Sequence, residues 1–263
     1  MSDDRPSPTG SRRDPTTRFT DRAADYDRGR PGYPDAVFDA IAEIARLVPG
    51  APVADVGAGT GISSAPLVER GYRVFAVEPN DAMRRAAMER LGKHPNYTSL
   101  AGTAEHTGLA TASTDLVLAA QAFHWFDPAA AHDEWHRILR PGGSAALVWN
   151  ARRATGTAMA ADYEDLLLRF GTDYREVGHR GVDQERMAAF FRGPFETRRF
   201  DNAQLLDREG LRARLVSSSY VPAPGQPQHE DMMAELDRIF DRRQQDGGVR
   251  IDYDVNLYIG PLA

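Results

Sequence analysis

Short, near-continuous apolar runs recur along the first half of the chain, among them Val53-Ala54-Asp55-Val56, Val74-Phe75-Ala76-Val77 and Leu116-Val117-Leu118-Ala119-Ala120. Runs of this length, too short for helices and bounded by glycine or polar residues, predict buried strands. The strands are expected at 52–56, 73–78, 97–101, 115–120 and 144–149, with helices at 61–70, 81–92 and 128–140 between them. Such alternation predicts a parallel sheet covered by helices on both faces. Ahead of it, Val37, Phe38, Ile41, Ile44, Ala45 and Val48 form a helical stripe that opens at Pro34-Asp35. Phe19, Ala23 and Tyr26 share one face of an earlier helix, which the Pro31-Gly32-Tyr33-Pro34 segment ends.

Beyond Asn150 the rhythm changes. Helices are expected at 157–170, 184–192, 204–216 and 229–245, with a short strand from Phe195 to Phe200. Val249, Ile251, Tyr253, Val255, Leu257 and Ile259 then alternate with polar residues, the plainest strand period in the chain. This divides the chain into a polar, disordered tail at 1–16, a core with an N-terminal helical lid at 17–151, and a region at 152–263. The last region supplies cap helices, expected over the C-terminal edge of the sheet, and two strands that complete it.

Composition narrows the function. The 263 residues, 41% hydrophobic and 27% charged, suit a globule with a buried core. A net charge of −6 argues against a general nucleic-acid binder, which needs clustered Lys and Arg. Without cysteine there are no disulfides, zinc thiolates or thiol nucleophiles. No apolar stretch nears the ~20 residues that span a bilayer, and no signal segment opens the chain. A cytoplasmic protein acting alone or as a homodimer is the expectation, with neither nucleic acid nor membrane as partner.

The chemistry lies at the ends of the strands. Asp55-Val56-Gly57-Ala58-Gly59-Thr60-Gly61 follows the first, and Glu78 closes the second. Glycines after a strand let backbone approach a ligand, and an acid on the next strand accepts from ribose hydroxyls. Spacing separates the nucleotide classes. The dinucleotide fingerprint puts its third glycine at Ile62 in one register and at Ser64, small but imperfect, in the other. A phosphate loop needs a lysine, and the sole lysine is Lys93. Seven histidines are scattered, and His132 and His136 lack the glutamate that H-E-x-x-H places beside the first histidine, so no metal is expected.

The Asp-x-Gly-x-Gly-x-Gly run is similar to the first motif of class I S-adenosylmethionine (SAM)-dependent methyltransferases. Four further segments resemble that family's type 11 branch: the N-terminal Phe19…Tyr26…Arg28-Gly29-Arg30-Pro31-Gly32-Tyr33-Pro34, then Ala122-Phe123-His124-Trp125-Phe126, Arg137-Ile138-Leu139-Arg140-Pro141-Gly142-Gly143 and Trp149-Asn150. The resemblance is close over residues 17–151 and loose beyond. It implies an α/β, Rossmann-like sheet of seven strands, mostly parallel with the last antiparallel, helices on both faces and a helical cap. It further implies SAM as cofactor, S-adenosylhomocysteine as product, and a small-molecule acceptor attacked in line.

The cofactor set expected on this basis is Tyr26, Arg30, Asp55, Gly57, Gly59, Gly61, Glu78, Pro79, Met83, Ala104, Glu105 and Gln121. Arg30 suits the methionine carboxylate, since a guanidinium binds it through paired hydrogen bonds. Tyr26 suits the sulfonium, and the loop at Ala104 and Glu105 the adenine. His124 is either a general base or a shaper of the methionine pocket. Trp125, Trp149, Asn150 and Tyr163 are acceptor-side residues, with Phe170 and Tyr220 as further lining groups; core packing explains the large aromatics equally well. Two other readings stay open: a SAM-binding protein of this fold that does not methylate, and a nicotinamide-dependent oxidoreductase.

Overall fold

A computed structural model describes residues 29–172, 174, 184–218 and 220–263. The expected tail at 1–16 and the helix carrying Phe19, Ala23 and Tyr26 lie outside the described residues. Seven strands form one sheet: β1 (Pro52–Val56), β2 (Arg73–Val77), β3 (Tyr97–Leu100), β4 (Thr114–Ala120), β5 (Leu139–Arg152), β6 (Glu196–Leu206) and β7 (Val249–Gly260). Their order across the sheet is β3-β2-β1-β4-β5-β7-β6. The first five pair in parallel, and β7 runs antiparallel to both β5 and β6. This is the class I, Rossmann-like arrangement. The crossover from β3 back to β4, beside β1, leaves a crevice at the C-terminal ends of β1 and β4, where open α/β sheets bind ligands.

Each face is dry because alternate strand residues point to opposite sides. On one face Val53, Val74, Leu116, Leu118 and Val148 meet α1 (Asp35–Ile44) and α2 (Ser64–Glu69) through Val37, Ile41 and Leu67. On the other, Ala54, Val56, Val117 and Leu147 meet α4 (Pro128–Ile138) through Trp135 and Ile138. A third cluster joins α5 (Ala158–Phe170), α7 (Arg208–Val216) and α8 (His229–Arg243) to Val249, Ile251 and Tyr253 of β7. Because Tyr253 pairs with Arg152, the last residue of β5, this cluster sits beyond the C-terminal edge of the parallel strands.

Two expectations are corrected here. The helix expected over 184–192, observed as α6 (Gln184–Phe191), does not join the cap: Met187, Phe190 and Phe191 pack with Trp135 against the sheet. Its position is tied by the ring Nδ1 of His132, 2.7 Å from the Phe190 carbonyl oxygen. The strand expected from Phe195 to Phe200 runs on to Leu206, so the helix expected from 204 starts only at Arg208. β7 offers a ladder partner for every residue up to Leu206, which pairs with Val249, and tertiary pairing overrides local helical preference. Asp207 then caps the helix, accepting from the Gly210 N–H at 2.7 Å.

Candidate functional site

The turn after β1 is shaped by glycines with distinct tasks. Gly57 has φ +70°, and a Cβ there would lie 2.5 Å from the Ala122 Cβ and 3.3 Å from the Phe126 ring. Only glycine lets the β1 loop touch the segment after β4. Gly61 was expected to face the ligand, yet a Cβ there would lie 2.9 Å from Leu91 on α3 (Asp81–Leu91), and Gly61 lines neither cavity described below. Its lack of a side chain serves helix packing.

Asp55 was expected among the cofactor contacts as well. It is fully buried, lines neither cavity, and accepts from Ser63 Oγ at 2.8 Å and Ser64 Oγ at 2.6 Å. It therefore braces the turn into α2 from behind. Burial, only partly offset by the two serines, pushes its carboxyl up to about 6. A raised acid pKa means that the unfolded chain releases its proton first, so this group's contribution to stability falls as pH rises from about 4 to about 6. Relative to Asp55→Asn, the wild-type protein should lose on the order of 2 kcal/mol between pH 4.5 and pH 6.5. Urea denaturation at pH 4.5 and 6.5 measures it, and parallel pH profiles would refute the assignment.

Glu78 faces a cavity of about 150 Å³ together with Gly57, Gly59, Pro79, Met83, Thr103, Ala104, Glu105, Gln121, Ala122, Trp125 and Phe126. Its Oε2 accepts from the Gly59 N–H at 3.0 Å and its Oε1 from the Asn80 N–H at 2.9 Å. Burial pushes this carboxyl above its ordinary value against those two donors. Each oxygen keeps lone-pair capacity for a further donor. Asn80 in turn caps α3, accepting from the Ala82 and Met83 N–H groups, and so delivers Met83 to the cavity. Glu105 accepts from the Asp127 N–H at 2.9 Å, tying the loop after β3 to the loop after β4.

A smaller cavity of about 40 Å³ lies on the other side of the glycine loop, walled by Arg30, Pro31, Tyr33, Thr60, Ser63, Asn150 and others. The two cavities share Gly57, Gly59, Ala120 and Gln121. Gln121 marks their junction in a strained conformation, φ +59°, which a non-glycine residue rarely adopts. Its Nε2 donates to the Asn150 carbonyl at 3.0 Å, while its Oε1 is buried with no partner among the described residues. Asn150 is fixed by donating to the Gly32 carbonyl at 3.1 Å and accepting from Asn202 at 3.0 Å.

The acceptor-side expectations divide. Trp125 lines the larger cavity and Asn150 the smaller. His124 and Trp149 line neither; the His124 ring packs against Trp125 and Trp149, with centroids 4.5 and 5.1 Å away. Tyr163 and Phe170 also line neither cavity, and their rings belong to the cap core. Tyr26 lies outside the described residues. Among the described residues no group of acids or histidines could hold a metal ion, and no helix is long and apolar enough to cross a membrane. Phe126, expected either to line the acceptor pocket or to pack its loop, lines the larger cavity; Ala122 and Thr103 were missed, though each adjoins a predicted residue, and Ser63 carried no local signal.

A model of the methyltransferase domain, type 11, matches residues 54–147. An uncharacterized methyltransferase of Mycobacterium tuberculosis is 46% identical over 146 residues, 55% of this chain and 56% of that protein. The chain thus spans little more than half the length of that relative. An uncharacterized methyltransferase-like protein of Schizosaccharomyces pombe is 31% identical over 232 residues, covering 84% of this chain and 85% of its own. Among solved structures, a candidate type II methyltransferase of Anaeromyxobacter dehalogenans is 28% identical with TM-score 0.69, covering 89% of this chain and 98% of that one.

Proposed function

The chain belongs to the SAM-dependent methyltransferases, with a type 11 domain, and on that premise we propose that it methylates a small-molecule acceptor at the junction of the two cavities. The observation that carries this reading is the pair of cavities meeting at Gly57, Gly59, Ala120 and Gln121. They are of unlike chemistry, as the two ends of SAM require. Glu78 suits a ribose diol, and Met83 and Ala104 give an apolar slot for a base. Arg30 and Asn150 suit an amino-acid head group. The unpartnered Gln121 Oε1 puts a partial negative charge beside the junction, which favours a sulfonium there.

SAM, when bound, supplies a sulfonium methyl: an acceptor lone pair bonds to the methyl carbon as the carbon–sulfur pair passes to sulfur, leaving S-adenosylhomocysteine. The chain's own task is alignment and exclusion of water. Its net charge of −6 argues against a general nucleic-acid binder as the reading of the crevice. The cap over the crevice suits an acceptor small enough to be enclosed. His124, whose ring packs tilted against Trp125 of the larger cavity and edge-on to Trp149, is our candidate to take the proton when the acceptor is a hydroxyl or an ammonium.

The test is S-adenosylhomocysteine release from SAM with a deproteinised low-molecular-mass extract. Release above the no-extract background is expected; SAM binding without any release would leave a protein that uses SAM otherwise. With an acceptor in hand, His124→Ala should lower kcat by about 100-fold or more while SAM affinity stays within a few-fold. An equal loss of both would make His124 a structural residue.

A further inference from the structure

Gly57, Gly59 and Ala120 bring no side-chain chemistry to the wall that the two cavities share. The polar side chain that the described residues place there is the amide of Gln121. Gln121 directly follows β4, and its φ of +59° is one that glycine adopts freely and glutamine only at a cost. In the loop after β1 the chain meets the same demand with glycines, Gly57 at φ +70° and Gly59 at +57°. At 121 it keeps a long side chain and bears the strain. Strain held at a cavity wall calls for a task that the side chain performs.

The amide has one possible orientation. Its Nε2 donates to the Asn150 carbonyl at 3.0 Å, and a carbonyl only accepts, so the nitrogen faces Asn150 and the oxygen does not. That carbonyl is held in place. Asn150 pairs with Val255 across β5 and β7, donates from its side chain to the Gly32 carbonyl at 3.1 Å, and accepts from Asn202 Nδ2 at 3.0 Å. Asn202 donates to the same Gly32 carbonyl at 2.9 Å, which closes the network. Gln121 Oε1 is left over, buried, with no partner among the described residues. A buried acceptor without a donor is costly until a ligand brings it a positive partner.

No ionised side chain among the described residues belongs to the shared wall. Glu78 lines only the larger cavity, where its two oxygens hold the Gly59 and Asn80 N–H groups, and Arg30 lines only the smaller. The electrostatic feature at the junction is therefore a fixed amide dipole. SAM and S-adenosylhomocysteine differ by one methyl and one positive charge, both at the sulfur. Contacts to the ribose, base and amino-acid ends are common to the two and cannot tell them apart. An amide oxygen at the junction can, because it attracts a sulfonium and its polarised methyl and gains little from a neutral thioether.

We propose that Gln121 is the residue by which this protein distinguishes SAM from S-adenosylhomocysteine, its Oε1 attracting the sulfonium methyl. This rests on the methyl-transfer reading above, which puts the sulfur at the junction. The attraction ends with the transfer itself: the carbon–sulfur pair passes to sulfur, the charge is gone, and the product is held less firmly than the cofactor was. One side chain thus favours entry of the donor and exit of the product.

Calorimetry on the full chain, with no acceptor present, tests it. The ligands are SAM, S-adenosylhomocysteine and sinefungin, which carries a protonated amine in place of the methyl sulfonium. Gln121→Met keeps the length and removes the oxygen. It should raise the dissociation constants of SAM and sinefungin by at least about tenfold, and that of S-adenosylhomocysteine by less than about threefold. Gln121→Gly should separate the ligands in the same direction while relieving the backbone strain, so it carries the test if Gln121→Met fails to fold. Both variants also lose the bond to Asn150, which disturbs the amino-acid end. That end is identical in the three ligands, so its effect cancels in the ratio of their affinities. A loss in equal proportion for all three would make Gln121 only a brace for Asn150 and overturns the proposal. SAM affinity unchanged in both variants overturns it too. Failure of the wild-type protein to bind either SAM or S-adenosylhomocysteine would instead remove the methyl-transfer reading, and this proposal with it.

Discussion

Glu78→Leu is expected to raise the dissociation constant for SAM by at least about 100-fold, which is close to 3 kcal/mol. The carboxylate has two duties that leucine can perform neither of. It holds the Gly59 and Asn80 N–H groups, at 3.0 and 2.9 Å, and so fixes both the glycine loop and the start of α3. It also presents its remaining lone pairs to the larger cavity, where two ribose hydroxyls would donate. Hydrogen bonds to a charged group are worth about 1.5–3 kcal/mol each, and the loss of an acceptor strands its donor as well. Glu78→Gln keeps an acceptor and the volume, so it should lose less. Calorimetry with SAM, and separately with adenosine, reads the result. A Glu78→Leu dissociation constant within tenfold of wild type would refute the ribose assignment.

The strands that carry this site were legible because they are buried on both sides. Near-continuous apolar runs have no other common explanation at that length, and β1, β2 and β4 fall within a residue of where the runs place them. Glu78 was legible for a related reason: an acid at the end of such a run, opposite a glycine turn, has little to gain from the core. What local pattern could not supply was the destination of each element. The apolar faces of α5 and α6 look alike in sequence, yet Leu166 and Leu167 join the cap while Phe190 and Phe191 cover the sheet. That choice depends on Trp135 and His132, more than fifty residues earlier.

Asp55 and Gly61 show the same limit at the scale of a single turn. Both stand in the motif that marks the cofactor, and both face away from the cavities, one toward Ser63 and Ser64 and the other toward Leu91. A motif records which residue types a turn requires, without distinguishing those that touch the ligand from those that hold the ones that do.

Gly57→Val should abolish measurable SAM binding and also cost the fold about 3 kcal/mol or more. Two independent terms contribute. The backbone at φ +70° disfavours any side chain with a Cβ, and a branched one most. The new Cβ would also meet Ala122 Cβ at 2.5 Å and the Phe126 ring at 3.3 Å, both part of the wall of the larger cavity. The Gly57 N–H donates to the Val77 carbonyl at 2.8 Å, which anchors the loop to the strand bearing Glu78, so the loop cannot retreat without breaking that bond. The collision therefore has to be relieved by the segment after β4, and that movement displaces Gln121 and Trp125 together. Urea denaturation reads the first effect and calorimetry the second. The two terms separate in a cycle: Ala122→Gly removes the atom that is struck, so it should recover part of the stability lost in Gly57→Ala, leaving only the backbone strain. A Gly57→Val protein that binds SAM as the wild type does would mean that the glycine turn is a folding feature and that the cofactor lies elsewhere.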